Sequence, residues 1–555
     1  MAVIHRMAHR LVYQTQIGLS IPKRTKSGPF FAFHPPAAGA RPPARLTGGA
    51  NVDKMEMICG RLRPQGNMGA TATVRFMEQA AADKTRRKKH FSIGGQRDVN
   101  MTEGNIVRHL TDFAVPLRIG NIFQQLYNTV DTWVVGNYVS NEAFSAVGTV
   151  GPIINMLIGF FLGLSSGASV VIAQYYGANR RDKVHDAVHT AIFMTLLLGV
   201  AFTVLGILLV PTMLGFMKTP ADVFPASSEY LVIYFAGVIG LMIYNIGSGI
   251  LRAVGDSTRP FYFLVVSAVI NTALDLVFVL VFHMGVAGVA LATVIAQAVS
   301  ALLVVLTLMH SHTCIRLRLR DLRIHFDMLK KILLVGIPAA VQMAITSFSN
   351  VFVQSYINVF GSDCMSGWTA YSKIDQLIVL PMQSIALAAT TFVGQNLGSG
   401  RTDRAQRGTR IAVLMSMATT FLVMVPVLIA APALVTFFNR KAEVIAYGSL
   451  FLRAISPFYL VMCIYQVYAG ALRGAGNSRV PMIIMLASFV AFRQCYLFIM
   501  TRYISNEILP IAFSYPAGWL VCSGLMLLYY RKMRLGRSSL LERESAAPSA
   551  GDCPG

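Results

Sequence analysis

Asp131 and Asp275 are carboxylates set inside runs of residues that are otherwise almost free of charge. An acid inside a hydrocarbon-spanning segment commonly lines a polar cavity or an ion path. At helical spacing Gln124, Tyr127 and Asn128 share the face of Asp131, while Asn271 and Ser267 precede Asp275 by one and two turns. The next apolar stretch offers Thr293 and Gln297 one turn apart. Carboxylate, amide and hydroxyl oxygens in such a set suit a hard monovalent cation, or a proton carried on a desolvated carboxyl. The plainer alternative is that each acid does no more than bond a neighbouring helix.

The elements that must hold these residues are membrane spans. Of 555 residues 54% are hydrophobic and 13% charged, roughly half the charged share of an ordinary soluble protein. Runs without Lys, Arg, Asp or Glu extend from Ala143 to Asn179, Leu276 to Ile315, Ile332 to Ser362 and Gln376 to Gly400, each longer than the ~20 residues a spanning helix needs. The pattern predicts an all-α integral membrane fold with twelve transmembrane helices between residues 111 and 530.

The net charge of +23 invites a nucleic-acid reading, yet residues 1–100 alone hold 17 Lys and Arg against 5 Asp and Glu. Most of the remainder sits in short loops after even-numbered spans, such as Arg180, Arg181 and Lys183 or Arg316, Arg318, Arg320 and Arg323. That is membrane topology, with both termini on the cytoplasmic side and no nucleic-acid face. Residues 1–100, rich in Pro, Gly, Ala and Arg, read as a disordered basic extension. Residues 101–315 and 316–534 are then two six-helix lobes, and 535–555 a cytoplasmic tail. The seven cysteines are scattered without paired spacing, which gives neither a disulfide framework nor a metal motif.

The lobes repeat. GILRAVGDSTRP around Arg252 recurs 221 positions later as GALRGAGNSRVP around Arg473, and AQYYGANRRD recurs at the same offset as GQNLGSGRTD. A repeat of six spans keeps its orientation, so the bundles are related by a pseudo-two-fold along the membrane normal with a cavity between them. The duplication also acts as an internal control. Asp131, Asn271, Asp275 and Thr293 correspond to Val353, Phe492, Tyr496 and Ser514, so the fold itself does not require the acids, and an ion function belongs to the N-terminal bundle.

Other polar residues divide between cavity and scaffold. Asp375 with Lys373 stands near the expected start of span 8, where either facing the cavity or snorkelling fits. Gln342, Thr346, Asn350 and Gln354 form an uncharged stripe on span 7, suited to lining the cavity or to bonding between helices. Arg493 in span 11 suits anchoring its lobe or pairing with a carbonyl, with contact to substrate the alternative, and the histidines at 185, 189, 283 and 310 carry no assigned role. No phosphate-cradling loop or reactive cluster indicates an enzyme, and no organic cofactor is expected.

Several motifs together resemble the multidrug and toxic-compound extrusion (MATE) family, over about residues 101–534. They are MTEGNIVRHLTDFAVPLRIGNIFQQLYNTVDTWVVGNYV with Asp131, AQYYGANRRD, LRAVGDSTRP, and NTALDLVFV with Asn271 and Asp275. The resemblance implies an exporter of lipophilic, often cationic drugs and toxins from the bacterial inner membrane. Its driving force would be antiport of Na+ or H+ through alternating access. It also implies that Asp131, Asn271, Asp275 and Thr293 hold the coupling ion, Na+ included; the polar spacing, separately, makes Gln124, Tyr127, Asn128, Gln342, Asn350, Gln354 and Asp375 the candidates for bordering the drug cavity. The expected partners are small molecules and the lipid bilayer, for a monomer. Some members use acids in spans 7 and 10 instead; here span 7 is uncharged and span 10 has only Glu443, at its edge. A flippase for lipid-linked saccharides on the same fold would need a strongly cationic cavity, and an integral-membrane enzyme would need a reactive cluster at a membrane face.

Overall fold

The computed structural model describes residues 99–541 except 140, 218, 505–506, 534 and 536–539. The N-terminal extension and most of the tail therefore lie outside the described residues. So do the side chains at 126–128, 131–133, 136–137, 141–145, 149, 152, 347–348 and 351.

Apolar segments of this length become helices because a helix satisfies its own backbone hydrogen bonds where no water is present. The first lobe comprises α1 (Ile106–Tyr138), α2 (Asn141–Gly177), α3 (Arg181–Phe216), α4 (Phe224–Ala236), α5 (Val238–Ala253), α6 (Thr258–Val281) and α7 (Gly285–Met309). The second comprises α8 (Phe326–Asn358), α9 (Ser362–Gly398), α10 (Thr402–Ile429), the short α11 (Ala431–Phe438), α12 (Ala442–Gly474), α13 (Arg479–Ile504) and α14 (Ile508–Lys532). Among the described residues ten helices are long and apolar enough to cross a membrane, or eleven with α4 and α5 counted as one span. The twelfth expected span is α1, which is helical over 33 residues. Its amides Asn121, Gln124, Gln125 and Asn128 dilute its apolar character.

Lipid-facing stripes confirm the reading. On α3, Leu197, Val200, Val204 and Leu208 are exposed at helical spacing, and on α10 so are Leu414, Phe421, Leu422 and Ile429. Apolar ridges of this extent on a water-soluble surface would drive association.

The duplication recurs in the element boundaries. The starts of α2 and α9, α3 and α10, and α6 and α13 are each separated by 221 residues, as are the ends Gly177 and Gly398, and Ala253 and Gly474. The fourth span is not the continuous helix expected: α4 and α5 meet at 48° around Gly237. At the equivalent place α12 passes through a 3-10 turn, Ser456–Phe458, containing Pro457. Glycine in one copy and proline in the other break the same span.

Between lobes, α2 packs along α8 and α9, and α1 along α9. Small residues permit this approach, as is usual between membrane helices. A Cβ added at Gly163 would lie 2.3 Å from Ala340 N, and one at Gly167 2.5 Å from Ile332 O. At the end carrying the basic loops, a Cβ on Gly177 would lie 2.0 Å from Gln395 O, and one on Gly398 2.0 Å from Gln174 O. The two lobes thus touch backbone to backbone at their pseudo-symmetry axis.

Candidate functional site

In the first lobe, α6 turns Ser267, Asn271 and Asp275 inward: their exposures are 8%, 2% and 0%. The i, i+4 spacing gives them one face, and α7 packs against α6 with Thr293 on the facing side. Asn271 Nδ2 donates to Thr293 Oγ1 at 3.5 Å, Thr293 Oγ1 donates to Val289 O at 3.0 Å, and Ser267 Oγ donates to Ala296 O at 2.8 Å. The Asn271 side-chain oxygen is buried and has no hydrogen-bond partner among the described residues. Directly after Asp275 the helix widens into a π-segment, Val277–Val281, a distortion that often accompanies functional sites. α1 packs along α6. The side chains of Tyr127, Asn128 and Asp131 lie outside the described residues, so three of the four expected ion-coupling residues are seen on facing helices. Together they present carboxylate, amide and hydroxyl oxygens on facing helices.

The residues expected around the drug cavity fall into two groups. Gln124 is partly exposed on α1, and its neighbour Gln125 bonds Gln376 of α9 across the lobes. On α8 the stripe serves mostly within the helix layer: Gln342 is buried, Thr346 Oγ1 donates to Gln342 O, and Gln354 Nε2 donates to Asn358 Oδ1. Asn350 Oδ1 accepts from Arg493 at 3.1 Å.

Arg493 is the anchor the sequence indicated. The residue is 2% exposed, and its guanidinium also bonds Ser349 Oγ and Phe489 O and lies over the Tyr515 ring at 4.7 Å.

Asp375 differs from expectation. Because α9 begins at Ser362, Asp375 lies three and a half turns inside the helix rather than near its start. It accepts a hydrogen bond from Tyr459 of α12, whose hydroxyl is 2.9 Å from that of Tyr371. Trp368, Trp519 and Tyr515 surround these phenols in edge and tilted contacts. The pairing of Asp375 with Tyr459, 84 positions away, carries no local sequence signal.

The histidines also gain a role. His189 Nδ1 is 2.8 Å from His185 O, and its Nε2 is 3.0 Å from Arg318 N, which must donate. Nδ1 therefore carries the ring proton. With His185 facing Asp321 and His325 facing Asp186, each at 3.5 Å, the segment joining the lobes is fastened to α3. His185, His189 and Asp321 approach within metal-binding range, but the Nε2 lone pair of His189 is already engaged. The i, i+4 histidines beside Asp186 were the available signal.

Comparison with known proteins places these features. The MatE family model matches residues 116–277 and again 338–494, one match in each lobe. The protein named "Probable multidrug resistance protein YoeA" of Bacillus subtilis (strain 168) is 27% identical over 434 residues, 77% of this chain and 94% of its own length. "Probable multidrug resistance protein NorM" of Thermotoga maritima is 26% identical, covering 79% and 95%. Among solved structures, a MOP superfamily transporter from Pyrococcus furiosus superposes with a TM-score of 0.75 at 22% identity, over 80% of this chain and 99% of that one. That last likeness concerns the fold.

Proposed function

Because the chain belongs to the MatE family, we propose that it is a secondary active exporter of amphipathic, neutral or cationic drugs and toxins, driven by antiport of Na+ or H+. The observation that carries this reading is the buried pairing of Asn271 and Asp275 on α6 opposite Thr293 on α7, in one lobe of a duplicated fold. Their counterparts Phe492, Tyr496 and Ser514 offer neither carboxylate nor amide. An ion bound there biases one arrangement of the lobes, and substrate biases the other. Carboxylate, amide and hydroxyl oxygens supply the ligands for the ion, with Asp131 on α1 as the fourth contributor.

Contact between the lobes at the basic-loop end supports an outward-facing state, with that end and both termini in the cytoplasm. The lipid-linked saccharide reading loses its main support, since Arg493 is held by Ser349, Asn350 and Tyr515 and does not offer its charge to an anion.

Proteoliposomes loaded with ethidium under imposed Na+ or pH gradients test the proposal. Wild-type protein should export under one of the gradients, and Asp275→Asn, nearly isosteric, should fold and reach the membrane yet lose at least tenfold of gradient-driven flux. Wild-type flux in Asp275→Asn would remove the ion from this site.

A further inference from the structure

We propose that Gln174 and Gln395 are a paired latch that holds the basic-loop end of the two lobes shut and releases when the lobes rock. This rests on the alternating-access reading above.

Both side chains are fully buried, and they are 221 positions apart. Gln174 on α2 donates through Nε2 to Gly474 O of the other lobe at 2.8 Å. Gln395 on α9 donates through Nε2 to Ala253 O at 2.8 Å, crossing in the opposite direction. The acceptors are also 221 apart and are the last residues of α12 and α5. Carbonyls at a helix end lack an intrahelical partner, so each glutamine caps a helix of the opposite lobe.

The other half of each amide is used as well. Gln395 Oε1 accepts Met101 N, and Gln174 Oε1 accepts Leu540 N, both at 2.9 Å. Met101 precedes α1 and Leu540 follows α14, so each latch also ties in a flanking segment of the chain. A carboxamide gives to a carbonyl through its nitrogen and takes from an N–H through its oxygen at once. Leucine does neither, and an ionised glutamate cannot donate. With Gly177 and Gly398 packed against the backbones of Gln395 and Gln174, no water fits between the partners. If the lobes separate at this end, water satisfies every one of these groups, so the bonds favour the closed state alone.

Spin labels on the full chain in lipid nanodiscs test this. One pair replaces Asp182 and Asp403 at the basic-loop end; a second replaces Phe282 and Tyr503 at the opposite end. All four positions are exposed. Gln174→Leu with Gln395→Leu should raise the ratio of open to closed at the basic-loop end by at least about tenfold, since four buried hydrogen bonds are lost from one state. The label pair at the opposite end should move the other way. Gln174→Glu with Gln395→Glu should shift the same ratio in the same direction.

If the wild type opens at this end with ethidium or at low pH while both double variants keep its distance distribution, the latch is refuted and alternating access stands. If neither wild type nor variants ever open there, both readings fail. Should the variants not fold, hydrogen exchange on the wild type decides: the Met101 and Leu540 amides must lose protection together under conditions that open this end. Protection unchanged by opening would overturn the proposal.

Discussion

Replacing Gly163 by alanine probes the seam between α2 and α8. The new methyl would lie 2.3 Å from Ala340 N, 2.4 Å from Ala340 Cα and 2.7 Å from Ala339 C. All three are backbone atoms of a helix and cannot rotate away. Taking the methyl from 2.4 Å to 3.4 Å from the Ala340 backbone, where ordinary van der Waals separation begins, requires the helices to part by about 1 Å. Overpacking of this kind costs about 1–3 kcal/mol, which is roughly a 5- to 150-fold penalty on the apposed state. One turn away, a Cβ at Gly159 would meet only Met343 Cβ at 3.4 Å, so Gly159→Ala is the matched control. Distances between labelled lobes and the melting temperature of purified protein read the effect. Gly163→Ala should lower the melting temperature or widen the α2–α8 separation, while Gly159→Ala matches wild type. Equal behaviour of the two variants would refute the argument that glycine at 163 sets the approach.

Three further outcomes are expected. Arg493→Met should lower the melting temperature by a few degrees, because its removal takes away bonds from a charged group to Ser349, Asn350 and Phe489, each worth about 1.5–3 kcal/mol; unchanged stability with a shift of substrate preference away from anions in a flux assay would make it a cavity residue. Asp375→Asn and Tyr459→Phe alter the same hydrogen bond, so drug-tolerance profiles should change alike in both with ion coupling preserved, and loss of coupling in either would move the ion site to the second lobe. Lys441→Ala should leave melting and flux unchanged, since its bonds to Asp363 are solvent-exposed; a clear fall in flux would mark that ion pair as part of the transport cycle.

The all-helical membrane character and the 221-residue repeat were legible because hydropathy and local motifs encode them directly. Asn271, Asp275 and Thr293 were legible because helical spacing and membrane burial act within single segments and their immediate neighbours. The bend at Gly237 was not, since a lone glycine in an apolar helix is common and only packing against Val294 shows why no side chain fits: a Cβ there would lie 2.2 Å from Val294 Cγ1. Neither were the phenols at Asp375 or the carbonyl partners of Gln174 and Gln395. Those depend on which helices meet, and the residues involved are separated by 84 to 300 positions.

The repeat separates the residues of movement from the residues of chemistry. The glutamines, the glycines facing them and the carbonyls they cap occur in both lobes at one offset. A symmetric closure needs both halves of its contact, so substitution in one copy would leave a buried polar group in the other without its partner. The polar clusters occur once each. Asn271 and Asp275 correspond to Phe492 and Tyr496 in the second copy; conversely Trp368, Tyr371, Asp375, Tyr459, Tyr515 and Trp519 correspond to Val147, Val150, Ile154, Val238, Val294 and Ala298. The aliphatic set fills the same place in the first lobe, so the fold does not require the aromatic one. Under the proposed antiport, Asn271 and Asp275 in the first lobe and the aspartate–tyrosine cluster in the second would let ion and substrate bind different lobes. Their competition then acts through the shared closure, without requiring them to contend for one carboxylate.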